Sequence, residues 1–213
     1  MLSEMIGPLR QPDEFEVRMI AVVTADGQIS HEGTSASLGS ALDAELLLAL
    51  REWADVVLVG AGTVRAEDYG GVGGDDPSPL AVVSSSLDFQ ASARVFREAR
   101  VQPLFLTTND DPSAHHRIEA AGGTVVPCDG DFIDVLRARG FRRIVVEGGP
   151  SLYRQVLARG EVDVIHLTID PSLSLASTAP LLPSDSPDRV ALDLEHCVHD
   201  DEGCVFLRYR VRN

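Results

Sequence analysis

The 213-residue sequence contains no lysine, and all eighteen of its positively charged side chains are arginine. Acidic residues outnumber basic ones by 33 to 18, which gives a formal net charge of −15. Nucleic acids and anionic membrane surfaces attract proteins through clustered basic side chains. The charge balance therefore disfavours both of them as partners.

Long hydrophobic runs and a secretory leader are also missing. No apolar run approaches the roughly 20 residues that a membrane-spanning helix needs. The first residues, MLSEMIGPLRQPDEFEVRM, lack a basic start followed by an apolar core, so we expect a cytoplasmic protein. The three cysteines, Cys128, Cys197 and Cys204, are odd in number and lack CxxC spacing, which predicts reduced thiols and no metal site.

Apolar, β-branched runs alternate along the chain with helical patterns. The runs predict strands at 17–23, 55–60, 79–86, 103–109, 124–128, 142–149 and 162–171. The helical patterns lie at 40–54, 92–100, 113–123, 131–140 and 150–160. Two alternating runs at 189–212 predict an antiparallel C-terminal hairpin.

Strands that alternate with short helices predict an α/β fold, with a mixed, mainly parallel sheet covered by helices on both faces. We expect one domain over 1–213, with an extended N-terminal segment at 1–16 and loops at 69–79 and 170–188. Ser40 and Asp43 are spaced as a capping box for the 40–54 helix. His166 lies inside a predicted strand and is expected to be a satisfied core residue.

Ligands of open α/β sheets bind where strands end and helices begin. Gly60 and Gly62 follow a strand and supply two glycines of a dinucleotide-binding fingerprint, with Arg65 in place of the third. Ser84 and Ser85 come about twenty residues later, where an NAD site would carry an acid. Hydroxyls there favour a 2′-phosphate and hence NADP. A tight glycine turn and a serine-rich turn are the structural alternatives.

A third strand end has the sequence EGGPSL at 147–152. Two glycines would let a ligand approach the backbone closely, and proline suits the first position of a helix. The amides of the first helical turn, with the Ser151 hydroxyl, would face a diphosphate at the positive helix end. Glu147 would point into the same cleft, although a turn with a solvated glutamate is the alternative.

The segment TADGQIS at 24–30 interrupts the first strand with Asp26 and Gly27. Asp-Gly is a hairpin-turn signal. A carboxylate at this strand end would also accept hydrogen bonds from a ring N–H and an exocyclic amino group of an aminopyrimidine. Both interpretations of Asp26 remain open from the residues alone.

In this order, TADGQIS, LREWADVVLVGAGTVRAED and IVVEGGPSLYRQVLARGEVDVIHLTIDP resemble the reductase domain of riboflavin biosynthesis. That domain is the C-terminal half of the bifunctional deaminase–reductase and has the dihydrofolate reductase fold. The likeness runs from about residue 17 to 171. The HxE and PCxxC motifs of the zinc deaminase half are absent, so the chain resembles a stand-alone, actinobacterial-type pyrimidine reductase.

The resemblance implies NADPH as hydride donor and a ribosylamino-pyrimidinone phosphate, 5-amino-6-(5-phosphoribosylamino)uracil, as a substrate whose ribose becomes a ribityl chain. It also implies a homodimer through the C-terminal strands, and the alternation at 204–212 is compatible with an edge strand. The implied cofactor contacts are Gly60, Gly62, Thr63, Val64, Ser84, Ser85, Gly148, Gly149, Ser151 and Leu152. The implied substrate contacts are Thr24, Asp26, Asp68 and Glu147, with Asp26 and Glu147 as the catalytic residues that orient the heterocycle.

Several positions depart from the family pattern on the substrate side. Gln28 replaces the usual lysine, and Ala44 and Leu48 replace an arginine followed by histidine or glutamine. Gly74 stands where the family reaches another arginine. These losses leave two alternatives open, which are a dihydrofolate reductase-like activity on a pterin and an NADP-binding protein without turnover.

Overall fold

The computed structural model describes residues 1–11, 13–30, 33–74, 77–175, 180–182 and 189–212. Within them, strands β1 to β9 span Glu16–Thr24, Val56–Gly60, Leu80–Val83, Leu104–Thr107, Thr124–Pro127, Arg143–Val146, Val164–Asp170, Leu192–His199 and Val205–Val211. Helices α1 to α7 span Leu2–Ile6, Ala41–Trp53, Ala61–Ala66, Arg94–Arg97, Pro112–Ala120, Phe132–Ala138 and Pro150–Ala158.

All nine strands join one sheet in the order β5-β4-β3-β2-β6-β1-β7-β9-β8. Neighbouring strands from β5 to β7 pair in parallel, whereas β7 with β9 and β9 with β8 pair antiparallel. Strands β2, β3, β4 and β5 follow one another outward to one edge of the sheet. The chain then crosses back, and β6 lies between β2 and β1. The carboxyl ends of β2, β3 and β6 therefore meet at one edge of the sheet. The predicted mainly parallel sheet with a C-terminal hairpin is confirmed.

Helices cover both faces of this sheet. Val57 and Val59 of β2 belong to the hydrophobic cluster that includes residues of α1 to α5, and Val56 and Leu58 belong to the cluster that includes residues of α6 and α7. A strand buried on both faces needs apolar side chains in both directions, which explains the unbroken VVLV run. No helix of the described residues is long and apolar enough to cross a membrane.

The structure differs from the sequence-based prediction at several elements. The N-terminal segment contains helix α1 instead of being extended throughout, and α3 begins directly after β2, where the sequence analysis predicted no helix. The strand at 204–212 is not an edge, because β9 lies between β7 and β8 and leaves β8 outermost. Parts of the predicted loops, at 75–76, 176–179 and 183–188, lie outside the described residues.

The predicted capping box is also wrong. Ser40 is the N-cap of α2, but its hydroxyl donates to Asp200 Oδ2 at 2.6 Å instead of capping the helix. Asp43 Oδ1 accepts a hydrogen bond from Thr168 Oγ1 of β7 at 2.5 Å. Partners from distant strands have replaced the local hydrogen bonds that the spacing predicted.

A buried polar cluster lies beneath the N-terminal segment. Arg18 is 1% exposed and donates hydrogen bonds to Glu16 and to the carbonyls of Ile6 and Pro8. His166 Nε2 lies 3.4 Å from Arg18 Nη1. Burial, together with the positive charges of Arg18 and Arg208, lowers the pKa of His166 from 6.5 to about 3. His166 is a neutral, partnered core residue, as predicted.

The depressed pKa of His166 predicts a pH dependence of stability. Between about pH 6.5 and 4 the unfolded chain binds a proton at this histidine that the folded chain excludes, so acidification favours unfolding. Over this range the wild type should lose about 1 kcal/mol of unfolding free energy per pH unit more than the His166→Gln variant. Urea titrations across this range would measure the difference.

The matched control is His116→Gln, which changes an exposed histidine of α5. The unfolding free energy of this variant should depend on pH in the same way as that of the wild type. Parallel curves for wild type and His166→Gln would contradict the assignment of a buried, neutral His166.

Candidate active site

A cavity of about 560 Å³ opens at the carboxyl edge of the sheet. Its wall includes the ends of β2, β3 and β6 and the first turns of α3 and α7. The direction in which successive strands join the sheet reverses between β2 and β6. These two strands are neighbours in the sheet although they are far apart along the chain. Open α/β sheets bind ligands at such a reversal.

The glycines at the ends of β2 and β6 bring two loops into backbone contact. The amide of Gly60 donates to the carbonyl of Gly148 at 2.5 Å, and a Cβ on Gly60 would lie 3.1 Å from Gly149 N. Gly148 has a φ of +123°, which favours glycine, and a Cβ on Gly149 would lie 2.8 Å from Thr63 Oγ1. A Cβ on Gly62 would meet nothing within 4 Å, so this glycine borders open space.

Helix α7 starts at the cavity wall with Pro150 in its first turn, as predicted. The amide of Leu152 donates to the Gly149 carbonyl at 2.9 Å, so it is not available to a ligand in the way we expected. Ser151 is exposed and lines the cavity. Its amide belongs to the first turn, whose N–H groups an α-helix cannot satisfy internally.

The end of β3 places hydroxyls beside a cation. Ser84 is buried and its Oγ accepts the amide of Leu87, whereas Ser85 and Ser86 are exposed at the cavity. Arg65 lines the same wall, and its guanidinium lies 5.3 Å from the centre of the Phe89 ring. Arg65 therefore offers a positive charge at the edge where the serines end.

Glu147 forms a buried ion pair that the sequence analysis missed. Arg51 donates to its carboxylate from Nε at 2.7 Å and from Nη2 at 2.6 Å, and the Tyr69 hydroxyl donates at 2.9 Å. Burial raises the pKa of Tyr69 and the Glu147 charge raises it further, so the phenol stays protonated. Burial alone would lower the pKa of Arg51, but its contact with Glu147 outweighs this and raises it.

Helix α2 presents one face to the cleft. Asp43 and Leu47 line the cavity, and Arg51 follows one turn later in the series i, i+4, i+8. Ala44 and Leu48, at which the resemblance placed missing substrate contacts, are exposed and do not line the cavity. Substitutions at these two positions therefore leave the cavity wall of this chain unaffected.

Four residues of the sequence-predicted site do not line the cavity. Thr24 Oγ1 donates to Asp26 Oδ1 at 2.6 Å and the amide of Ser174 donates to the same oxygen, and these bonds lower the pKa of Asp26. Val64 is buried in the core, and Asp68 is exposed, 3.7 Å from Arg94. The other predicted residues line the cavity together: Gly60, Gly62, Thr63, Ser84, Ser85, Glu147, Gly148, Gly149, Ser151 and Leu152.

Sequence reasoning missed the polar lining residues Asp43, Glu67 and Tyr69, together with Arg51 behind them. The stripe of α2 that packs into the core contains Leu46, Leu50 and Trp53, and the face beside it contains 43, 47 and 51. A helical projection could therefore have singled out Asp43 and Arg51. Tyr69 follows a short helix in a loop, where no periodicity identifies a site residue.

A model of the RibD C-terminal domain matches residues 16–206 of the chain. The chain belongs to this family. A pyrimidine reductase-like protein from Corynebacterium diphtheriae is 31% identical and superposes with a TM-score of 0.89, over 100% of this chain and 98% of its own. The resemblance predicted from the motifs is confirmed, and membership of this family supports an oxidoreductase role.

Two more distant structures have the same fold. The riboflavin biosynthesis reductase of Saccharomyces cerevisiae is 18% identical, with a TM-score of 0.71 over 97% of this chain and 93% of its own. A dihydrofolate reductase from Enterococcus faecalis is 16% identical, with a TM-score of 0.51 over 93% of this chain and 97% of its own. The predicted dihydrofolate reductase-like fold is thereby confirmed.

The ion pair between Arg51 and Glu147 predicts a strong dependence of stability on Arg51. Arg51→Gln leaves a buried carboxylate without its cation, which should lower the unfolding free energy at neutral pH by about 3–5 kcal/mol. Urea unfolding measures the loss.

The double variant Arg51→Gln, Glu147→Gln removes both charges and should be more stable than the single Arg51→Gln variant. A double-mutant cycle with Glu147→Gln isolates the coupling between the two side chains. Additive losses would show that the two groups are not coupled.

Proposed function

We propose that the protein is an NADPH-dependent reductase of a ribosylamino-pyrimidinone phosphate, in which the ribose is reduced to a ribityl chain. The observation that carries the proposal is the glycine-lined cavity at the strand reversal, in a chain of the RibD C-terminal domain family. The solved relatives named as a pyrimidine reductase-like protein and a riboflavin biosynthesis reductase support the same reaction class.

The residues at the strand ends fit a dinucleotide. Because Gly62 has no side chain, the space beside it at the cavity stays open. Ser151 offers a first-turn amide and a hydroxyl at the positive end of α7. Bound NADPH would supply the hydride. The residues proposed to hold it are Gly60, Gly62, Thr63, Ser84, Ser85, Gly148, Gly149 and Ser151.

On the substrate side, Glu147 is proposed to face the reacting ring. Arg51 and Tyr69 already donate three hydrogen bonds to its carboxylate, so its position is fixed. Such a carboxylate orients a bound molecule and keeps a negative charge in place, but its oxygens have little capacity left for proton transfer. An open-chain imine that accepts hydride at carbon takes its proton at nitrogen, from water or from another acid.

One observation favours a second candidate, a dihydrofolate reductase-like activity on a pterin. Among the lining residues that the structure describes, Arg65 is the only arginine, and it lies at the serine end of the cleft. Arg51 is committed to Glu147. A substrate without a phosphate would need no further cation.

The deciding experiment follows NADPH consumption by the purified chain with the ribosylamino-pyrimidinone phosphate, and with dihydrofolate in a parallel reaction. Turnover of the first substrate alone would support the proposal. Turnover of dihydrofolate alone would replace it with the second candidate. NADPH binding with neither reaction would leave a dinucleotide-binding protein without turnover of these substrates.

Arg65 should determine the preference for NADPH over NADH. A charge-assisted bond between arginine and phosphate contributes roughly 1.5–3 kcal/mol, which corresponds to about 10- to 100-fold in affinity. Arg65→Gln should therefore weaken NADPH binding by about this factor and leave NADH binding nearly unchanged. Titration calorimetry with both cofactors provides the measurement.

Arg97→Gln is the matched control, since Arg97 lies on the exposed side of α4 and outside the cavity. It should bind both cofactors as the wild type does. Equal losses of NADPH and NADH affinity in Arg65→Gln would mean that Arg65 does not contact a 2′-phosphate.

The proposed enzyme acts as a cytoplasmic homodimer that pairs through its C-terminal strands. Strand β8 supports this arrangement, because it is the outer strand of the sheet and exposes Leu192 and Leu194. An outer strand leaves one row of backbone hydrogen-bonding groups without a sheet partner. Light scattering on the purified chain would measure the oligomeric state.

A further inference from the structure

Tyr69 lines the cavity beside Glu147 and is held there by three contacts. Its amide donates to the carbonyl of Val64 at 3.0 Å, which ties its backbone to the last turn of α3. The guanidinium of Arg51 lies 5.4 Å from the centre of its ring, a distance at which a cation is attracted to an aromatic face. Its hydroxyl donates to Glu147 Oε2 at 2.9 Å. The backbone, the ring and the hydroxyl of Tyr69 are therefore all fixed before any ligand binds.

The hydrogen bond to Glu147 determines what the Tyr69 oxygen can offer to a ligand. A phenol carries one hydrogen and two lone pairs. Burial and the charge of Glu147 raise the pKa of Tyr69, so the hydrogen stays on the phenol, and it is directed at the carboxylate. The oxygen can then only accept further hydrogen bonds. A ligand group that contacts it has to be a hydroxyl or an N–H group, because a carbonyl or a phosphate would bring a second acceptor.

Tyr153, which also lines the cavity, provides a comparison. Its hydroxyl donates to the carbonyl of Ile20 at 2.5 Å, and its side chain is buried, with 4% of its surface exposed. Tyr69 is only half-buried. Tyr153 is therefore part of the protein framework, whereas Tyr69 has surface left for a ligand.

The proposed function brings the reacting part of the substrate to Glu147, and hence to Tyr69. In the ribosylamino-pyrimidinone phosphate the carbon that receives the hydride belongs to the sugar, and the next carbon carries a hydroxyl. That hydroxyl is a donor directly beside the reacting carbon. Dihydrofolate has no hydroxyl beside the bond that is reduced. The charge of Glu147 polarises the phenol O–H, which strengthens the phenol oxygen as an acceptor for such a donor.

We propose that Tyr69 is a specificity-determining residue, whose oxygen accepts a hydrogen bond from the sugar hydroxyl next to the carbon that receives the hydride. This inference rests on the proposed function and specifies how the same site selects a sugar-bearing substrate over a pterin. A site built to bind a hydroxyl discriminates strongly against an analogue without it, because its own polar group is then left unpaired. The fixed position of Tyr69 means that little order has to be gained when the hydroxyl binds.

The test combines a change in the ligand with a change in the protein. The ligands are the ribitylamino-pyrimidinone phosphate that the proposed reaction forms and its deoxy analogue, which lacks the hydroxyl next to the reduced carbon. Titration calorimetry on the full chain, with and without NADP⁺, should show that the wild type binds the first at least about tenfold more tightly. Tyr69→Phe keeps the ring but has no oxygen, so it should reduce this preference to within about threefold.

Tyr209→Phe is the matched control, because Tyr209 lies on β9 and away from the cavity wall, and it should keep the wild-type preference. A third ligand carries fluorine in place of the hydroxyl, and it tests the proposal on the wild type even if Tyr69→Phe does not fold. Fluorine cannot donate a hydrogen bond, so this ligand should bind at least about tenfold more weakly than the hydroxyl compound. Circular dichroism and thermal melting establish that each variant is folded.

The assignment of Tyr69 would be overturned if the wild type bound none of these ligands, bound the fluorine or deoxy compound as tightly as the hydroxyl compound, or kept its preference in Tyr69→Phe. NADPH consumption with the substrate, measured separately, distinguishes this failure from that of the proposed function. A chain that shows the Tyr69-dependent preference without consuming NADPH would retain the Tyr69 contact and lose the reductase proposal. A chain that consumes NADPH while Tyr69→Phe keeps the wild-type preference would do the reverse.

Discussion

The buried ion pair between Arg51 and Glu147 sets the geometry of the whole cleft. It joins helix α2 to the end of strand β6, and it thereby fixes which face of α2 borders the cavity. Asp43 and Leu47 lie on that face because they precede Arg51 by two turns and one turn. Buried ion pairs add little net stability, but the loss of one partner is costly, so the pair acts mainly as a constraint on arrangement. A hydrophobic pair of similar volume could hold α2 as firmly, but it would not place a fixed negative charge in the cleft.

A second constraint is the backbone contact between the ends of β2 and β6. Gly60 and Gly148 hydrogen-bond directly, and side chains at Gly60 or Gly149 would meet atoms closer than ordinary contact distance. The two loops therefore approach as closely as backbones can, which leaves no room for a side chain at either glycine. The paired glycines after Glu147 therefore satisfy a packing requirement of the protein itself.

Much of the fold could be predicted from the sequence, because buried parallel strands need continuous apolar runs and the helices between them need amphipathic ones. Ten of the lining residues, among them those at the glycine-rich strand ends, were identified from the same kind of local pattern. Residues whose roles depend on distant partners could not be found this way. Ser40 and Asp43 have the spacing of a cap, yet Asp200 and Thr168, far along the chain, take their hydrogen bonds. The order of β9 and β8 also depends on how the hairpin folds back, which alternation alone does not encode.

The charges along the cleft favour one orientation for an elongated ligand. Arg65 supplies positive charge at the serine end, whereas Asp43 and Glu67 line the cavity with no ion-pair partner among the residues that the structure describes. Field lines in a cleft with apolar walls are poorly screened, so a phosphate is attracted to the Arg65 end and repelled from the Asp43 end. In the proposed complex the cofactor's phosphates lie toward Arg65, and the substrate ring lies toward Glu147. A phosphate on the substrate would then have to extend away from Asp43 toward the open mouth, where water compensates its charge. The family's arginine at 44 and its histidine or glutamine at 48, which this chain lacks, do not alter this balance, because both positions lie outside the cavity wall.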